Sequence, residues 1–364
     1  MTYQRPTLAS MPPAIHGARD YSELKQLGLE PDDLIDFSAN SNPYGPYPAL
    51  LSAVKQAVTG ATLARYPDRD CLALREAAAR VEGVSPAHLL PTNGASELIQ
   101  LIALAFVEPG SRHLVVAPTF GEYQRAIQLV GGQIHQHWPT QAHLRFEVEA
   151  VIDEINRIDP QGVWLCTPNN PTGQQWEPNQ IERLQAAAPH CLWVIDESYR
   201  YFGQRTFAGS TPPAPPTGII VRSLTKAYGL AGLRLGYGVA APDVVKTLQA
   251  VQPPWSVNSL AQVAGVVALQ PNGLRWREES LARLQHHATQ LWKELATLGF
   301  TVLPTDTPFA LVAVEDAPSF RRTLLHHGLL VRDCTSVGLP HHIRIAAQLP
   351  EENERLLTAI EGLL

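Results

Sequence analysis

Four short apolar runs in the middle of the chain constrain its fold more than any other feature. They are His113–Ala117 (HLVVA), Gly162–Thr167 (GVWLCT), Leu192–Asp196 (LWVID) and Gly218–Ser223 (GIIVRS). Each is of strand length and almost free of polar interruption, the pattern of a strand covered on both faces. Amphipathic stretches such as Ser96–Phe106 and Ile181–Ala188 lie between them. Strands alternating with helices imply βαβ units around a mostly parallel sheet, an α/β fold. Later comes a long helical region from about Ser259 to Leu298, then strand-like Thr301–Leu303, Ala310–Val314, Leu329–Val331 and His342–Ala346. These predict a smaller α+β domain. Turn formers at Asn42–Pro48 and Gln252–Pro254 give an N-terminal arm (1–45), a large domain (46–252) and a small domain (253–364).

Charge and composition exclude several classes of partner. The formal net charge is -6 and no Lys/Arg cluster forms a long run, which argues against nucleic acid as the main partner. The longest apolar stretch, Leu98–Val107, is broken by Gln100 and too short to span a bilayer. The first residues lack a charged-then-apolar leader pattern, so a cytoplasmic protein is expected. Cys71, Cys166, Cys191 and Cys334 are scattered and read as reduced thiols. The paired histidines have no carboxylate at ligand spacing, so no metal is expected.

Four clusters sit at predicted strand ends or helix starts, where open α/β sheets bind ligands. Lys226, in Ser223-Leu-Thr-Lys226, follows a buried strand and suits an amine approached by a planar cofactor. It fits a solvated surface lysine as well. S-x-x-K also marks β-lactamases, but the S-D-N and K-T-G tripeptides that they require are absent. Asp196, ending the run LWVID, is costly there unless its charge is paired, and a pyridinium nitrogen is such a partner. A plain helix cap is the alternative. Tyr199 lies three residues on. Asn170, in Asn169-Asn-Pro-Thr-Gly173, offers an amide on a turn that Pro and Gly would make in any case. Asn93-Gly-Ala95-Ser96-Glu97 opens a helix, where free N–H groups suit a phosphate or a simple cap.

In this order the clusters resemble the fold-type-I pyridoxal-phosphate enzymes, the class I/II aminotransferase superfamily, over essentially the whole chain. The resemblance implies pyridoxal 5'-phosphate as cofactor, with Lys226 carrying it and shuttling the α-proton. It implies Asp196 on the ring nitrogen, Tyr199 and Asn170 on the ring hydroxyl, and Phe120 of Pro118-Thr-Phe120 stacked on the ring. Ser223, Arg234, Ser96 and the Ala95 amide would hold the cofactor phosphate. Tyr66, in Arg65-Tyr-Pro-Asp68, would reach the neighbouring subunit's phosphate, so a homodimer is implied. Arg344 would grip the α-carboxylate of a small amino-acid substrate.

Asp36-Phe-Ser-Ala-Asn40-Ser-Asn42-Pro43 and His16-Gly17 look most like the L-threonine-O-3-phosphate decarboxylases of cobalamin synthesis. These are close to the histidinol-phosphate aminotransferases. His16, Asn42 and Arg332 would then join the substrate site with Asn170 and Arg344. The sequence departs from both branches. His-Gly-Gly-Asn is here His16-Gly-Ala-Arg19, and the further arginine of each branch is replaced by Gln348 or Pro350. One positive charge near a substrate phosphate is missing unless Arg19 supplies it. Decarboxylation is the main expectation, transamination the alternative, and elimination or cyclisation on a hydroxylated amino acid a third. A binding protein that has lost catalysis is set against the intact set of Lys226, Asp196, Tyr199, Asn170 and Arg234.

Overall fold

The computed structural model describes residues 11, 15, 17–140, 144–203 and 218–363. Its strands in chain order are β1 (Ile35–Asp36), β2 (Leu89–Thr92), β3 (Arg112–Val116), β4 (Gln133–His137), β5 (Gly162–Cys166) and β6 (Leu192–Asp196). They continue with β7 (Gly218–Ser223), β8 (Gly236–Ala240), β9 (Phe309–Ala313), β10 (Leu329–Leu330), β11 (Arg332–Asp333) and β12 (His342–Ala346). Seven of them form one sheet in the order β2-β8-β7-β6-β5-β3-β4. The five from β7 to β4 run parallel, and β8 is antiparallel to both of its neighbours.

The period of two along each central strand builds two cores. Trp164 of β5 and Val194 of β6 face one side with Leu98, Ile102 and Ile127. Val163 and Leu165, with Trp193 and Ile195, face the other against Val151, Ile155 and Leu184. Both faces are therefore covered by helices, which is why these strands carry no polar alternation. The parallel crossovers bring the ends of β5, β6 and β7 to one edge, where Cys166, Asp196 and Ser223 lie.

The C-terminal part has a three-stranded antiparallel sheet, β11-β12-β9. Thr301–Leu303, expected as a strand, makes only an isolated bridge at Val302. The helical region divides into Ser259–Ala268 and Pro271–Thr297, since Pro271 starts a new helix where a proline fits. The N-terminal segment is tied into this part. β1 pairs with β10, Ala346 donates its N–H to the Phe37 carbonyl at 2.8 Å, and Arg344 reaches the Ser38 carbonyl. Among the described residues no helix is long and apolar enough to cross a membrane.

Candidate active site

Lys226 lies just past β7, partly buried, in a cavity that it lines with Ala95, Ser96, Phe120, Tyr123, Cys166, Asn170, Asp196, Ser198, Tyr199, Ser223, Thr225 and Arg234. Burial, then the positive charges of Arg344 and Arg234, push its amine down to about 8. A fraction is thus unprotonated and nucleophilic near neutral pH. Its Nζ stands 5.9 Å from the centre of the Tyr199 ring.

Asp196 ends β6 within the same cavity. Its Oδ1 accepts from the Ser198 N–H at 2.8 Å and its Oδ2 from the Tyr123 hydroxyl at 2.7 Å. Burial raises its carboxyl above the usual range. No Lys, Arg or His nitrogen stands at ion-pair distance from it among the described residues. A buried carboxylate without a cation fits a pyridinium nitrogen, and here the donor set matches the cofactor expected.

The opposite end of the cavity suits a dianion. Helix Ala95–Phe106 begins at Gly94, whose φ is +81, and Asn93 donates its N–H to Glu97 Oε2 at 2.5 Å. A Cβ on Gly94 would come within 2.7 Å of the Arg234 guanidinium, so the glycine lets this cation sit over the helix start. The Ser223 and Thr225 hydroxyls lie 2.8 Å apart beside it. Helix N–H groups, two hydroxyls and a guanidinium are together the kind of donor set that a phosphate takes.

A second, outer cavity opens from Phe120 and Asn170 and is lined by Ile15, Gly17, Glu122, Gln124, Arg125, Gln128, Arg332, Cys334, Ser336 and Arg344 among others. Arg344 is 6% exposed and donates to Asn170 Oδ1 and to the Ser38 carbonyl, while its Nε has no partner. No carboxylate pairs with it among the described residues, which leaves a buried cation able to take one. Arg332 donates to the Ile15 carbonyl at 2.9 Å and to Ser336 Oγ at 2.6 Å. Burial and Arg344 hold its guanidinium below the ordinary value.

The structure brings Lys226, Asp196, Tyr199, Asn170, Phe120, Ser223, Arg234, Ala95 and Ser96 into one cavity, with Arg332 and Arg344 in the next. Asn42 is a correction. Its amide donates to the Ala227 carbonyl and Ser280 Oγ, both at 2.9 Å, and its N–H to the Lys226 carbonyl, so it clamps the lysine loop and lines neither cavity. Arg19 does not supply the missing charge, because it donates to the Leu34 carbonyl and lies 4.0 Å from Asp32. Gln348 is buried and spends its amide on the Asp36 and Ala346 carbonyls. Tyr66 is 78% exposed and stacked on Trp255 at 4.4 Å, outside both cavities. His16 lies outside the described residues. Sequence reasoning missed Tyr123, Thr225 and Arg125. Thr225 sits inside the S-x-x-K motif itself; the other two lie three and five residues beyond Phe120, which was the available signal.

The family model for aminotransferase class I and II matches residues 32–360. A histidinol-phosphate aminotransferase from Symbiobacterium thermophilum is 32% identical, over 100% of this chain and 99% of that one. The crystal structure of histidinol-phosphate aminotransferase from Sinorhizobium meliloti, in complex with pyridoxal-5'-phosphate, superimposes with a TM-score of 0.88 at 24% identity. It covers 100% of this chain and 99% of its own. That of L-threonine-O-3-phosphate decarboxylase from Porphyromonas gingivalis gives 0.78 at 28% identity, over 90% and 98%. The curated relatives thus favour the aminotransferase alternative over the decarboxylase expected first.

Proposed function

The chain belongs to the class I and II aminotransferases, enzymes of fold type I whose cofactor is pyridoxal 5'-phosphate, and from that premise we propose that it transaminates a small amine bearing a distal phosphate, of the histidinol-phosphate kind. Bound here, the cofactor supplies an electron sink for a bond broken at the amine-bearing carbon. Lys226 carries it and moves the proton at that carbon, for which an amine near 8 is suited. Asp196 takes the ring nitrogen, and Tyr199 with the Asn170 amide takes the ring oxygen. Phe120 stacks on the ring. Ala95, Ser96, Ser223, Thr225 and Arg234 take the phosphate, with Tyr66 reaching across a homodimer.

The observation that carries the reading is Arg344, a buried guanidinium anchored at Asn170 and Ser38 with hydrogen-bond capacity left over. An amine of the histidinol-phosphate kind has no carboxylate, so the anion that Arg344 would hold is that of the keto-acid acceptor and of the amino acid it becomes. On such an amine the α-proton is the group that can leave, and the 32% identical relative supports that reaction. Arg332, with Arg125 lining the same outer cavity, supports an anion at the far end of the substrate. The further charge thus comes from the helix after Phe120 and not from the C-terminal motif. Decarboxylation of threonine phosphate is the second reading, supported by the 28% identical structure and the Asp36–Asn40 motif.

The test is one panel of histidinol phosphate, threonine phosphate and their dephosphorylated forms with a keto-acid acceptor, following ketone formation and carbon dioxide release separately. Ketone from histidinol phosphate alone supports transamination. Carbon dioxide from threonine phosphate supports the second reading, and reaction only without phosphate removes the distal-anion site.

A further inference from the structure

Tyr123 lies in helix Glu122–Leu129, three residues after Phe120, and is 1% exposed. Its ring packs edge-on against Phe120 at 5.8 Å and tilted against Trp164 at 6.0 Å, which fixes where the hydroxyl points. That hydroxyl donates to Asp196 Oδ2 at 2.7 Å. We propose that Tyr123 is a positioning residue that acts through Asp196 to keep a proton on the ring nitrogen of pyridoxal phosphate.

The reasoning starts from a shared proton. A ring nitrogen and a carboxylate in contact hold one proton between them, and it sits on whichever is the stronger base. Burial strengthens the carboxylate as a base, which draws the proton off the ring and weakens the electron sink. A donor to the carboxylate opposes this by stabilising its charged form. Burial and the neighbouring Asp196 raise the Tyr123 hydroxyl well above its ordinary value, so it keeps its own proton and acts only as donor. The other ionisable groups around Asp196 are Cys166, Tyr199 and Lys226. Burial keeps the Cys166 thiol neutral, and pushes Tyr199 up to about 12. Lys226 is the amine that carries the cofactor. The Ser198 N–H, a backbone donor, serves the other oxygen. The Ser198 side chain also lies close enough to lower the carboxyl, but its hydroxyl makes no hydrogen bond, so among the described residues Tyr123 is the side-chain donor that meets this carboxylate. The inference rests on the family's cofactor and not on the substrate proposed above.

A thermodynamic cycle tests it. Wild type and Tyr123→Phe are each titrated with pyridoxal phosphate and with the analogue carrying C–H in place of the ring nitrogen. The phenylalanine keeps both ring contacts and removes only the donor. A bond to a buried charge corresponds to about tenfold to a hundredfold in affinity. The variant is expected to lose about that much for pyridoxal phosphate and little for the analogue. With ¹⁵N-labelled cofactor, its ring signal at neutral pH should move toward that of neutral pyridine. Equal losses for both cofactors, or an unmoved nitrogen signal, overturn the proposal and leave Tyr123 a packing residue. A wild type that binds neither compound would instead refute the cofactor assignment. Melting of the cofactor-free variant reports its fold. If it is unfolded, Tyr123→His, which keeps a ring donor, must show the wild-type preference between the two cofactors or the proposal fails.

Discussion

Replacing Lys226 by methionine should make the cofactor-free protein more stable while abolishing cofactor attachment. The amine is buried at the end of β7 and pushed down to about 8, against 10.5 for an ordinary lysine. Between those values the folded chain binds fewer protons at this site than the unfolded chain. Stability therefore rises with pH across about 8 to 10.5, and the full penalty is present below 8. At about 1.4 kcal/mol per pKa unit, the penalty is about 3 kcal/mol. Methionine has nearly the same shape and no charge to desolvate, so it removes this cost with little repacking. Paired urea denaturations of cofactor-free wild type and Lys226→Met, at equal protein concentration, should show the variant ahead by up to about 3 kcal/mol at pH 7. The gap should close as the pH passes 10.5. A gap that does not change with pH, or a wild type more stable at pH 7, would refute the burial argument. A variant that keeps the visible absorption of bound cofactor would remove Lys226 from its assigned role.

Arg344→Gln should weaken binding of a carboxylate substrate by on the order of 2–5 kcal/mol and leave the cofactor's visible band in place. The same change removes a positive charge that lowers Lys226, so the amine should titrate above its present value of about 8, as read from the pH dependence of cofactor capture. Asn42→Ala should cost about 1–3 kcal/mol in urea denaturation, because the Ala227 carbonyl and Ser280 hydroxyl lose a buried donor. Its substrate KM should stay at the wild-type value; a raised KM with unchanged stability would return Asn42 to the substrate site. Tyr66→Ala should lower cofactor retention without changing the oligomeric state read by sedimentation, and unchanged retention would end its proposed role across an interface.

The central sheet is legible because β5 and β6, and β7 apart from its buried Arg222, are apolar on both faces, a pattern that helices on both sides explain. β4, with the sequence QIHQH, is an edge strand with little to bury, so its residues give no such signal. β8 is interrupted by Gly238, whose missing side chain makes room for Leu98. The site reads well where motif and geometry are local, as at Ser223–Lys226 or Asn93–Glu97. It reads badly where a side chain's partner is remote. Asn42 is settled by Ala227 and Ser280, 185 and 238 positions away, and Tyr123 by Asp196, 73 positions away. Arg19 looked free to face a phosphate until folding placed Leu34 and Asp32 beside it.

The tie between Ser38 and Arg344 joins positions 306 apart in the chain. At about 5–20 residues per second, a ribosome needs on the order of 15–60 s to make the second after the first. Phe37, wholly buried in the finished protein, has no permanent cover during that interval. The seven-stranded sheet uses residues 89–240 and leaves the ribosome before the last strands do. Arg344 therefore falls into place only when the last strands close over the earliest segment. Nascent chains stalled before residue 342 should accordingly carry a formed cofactor cavity and an exposed N-terminal segment open to chaperones, so that cofactor capture precedes substrate recognition during the protein's own synthesis.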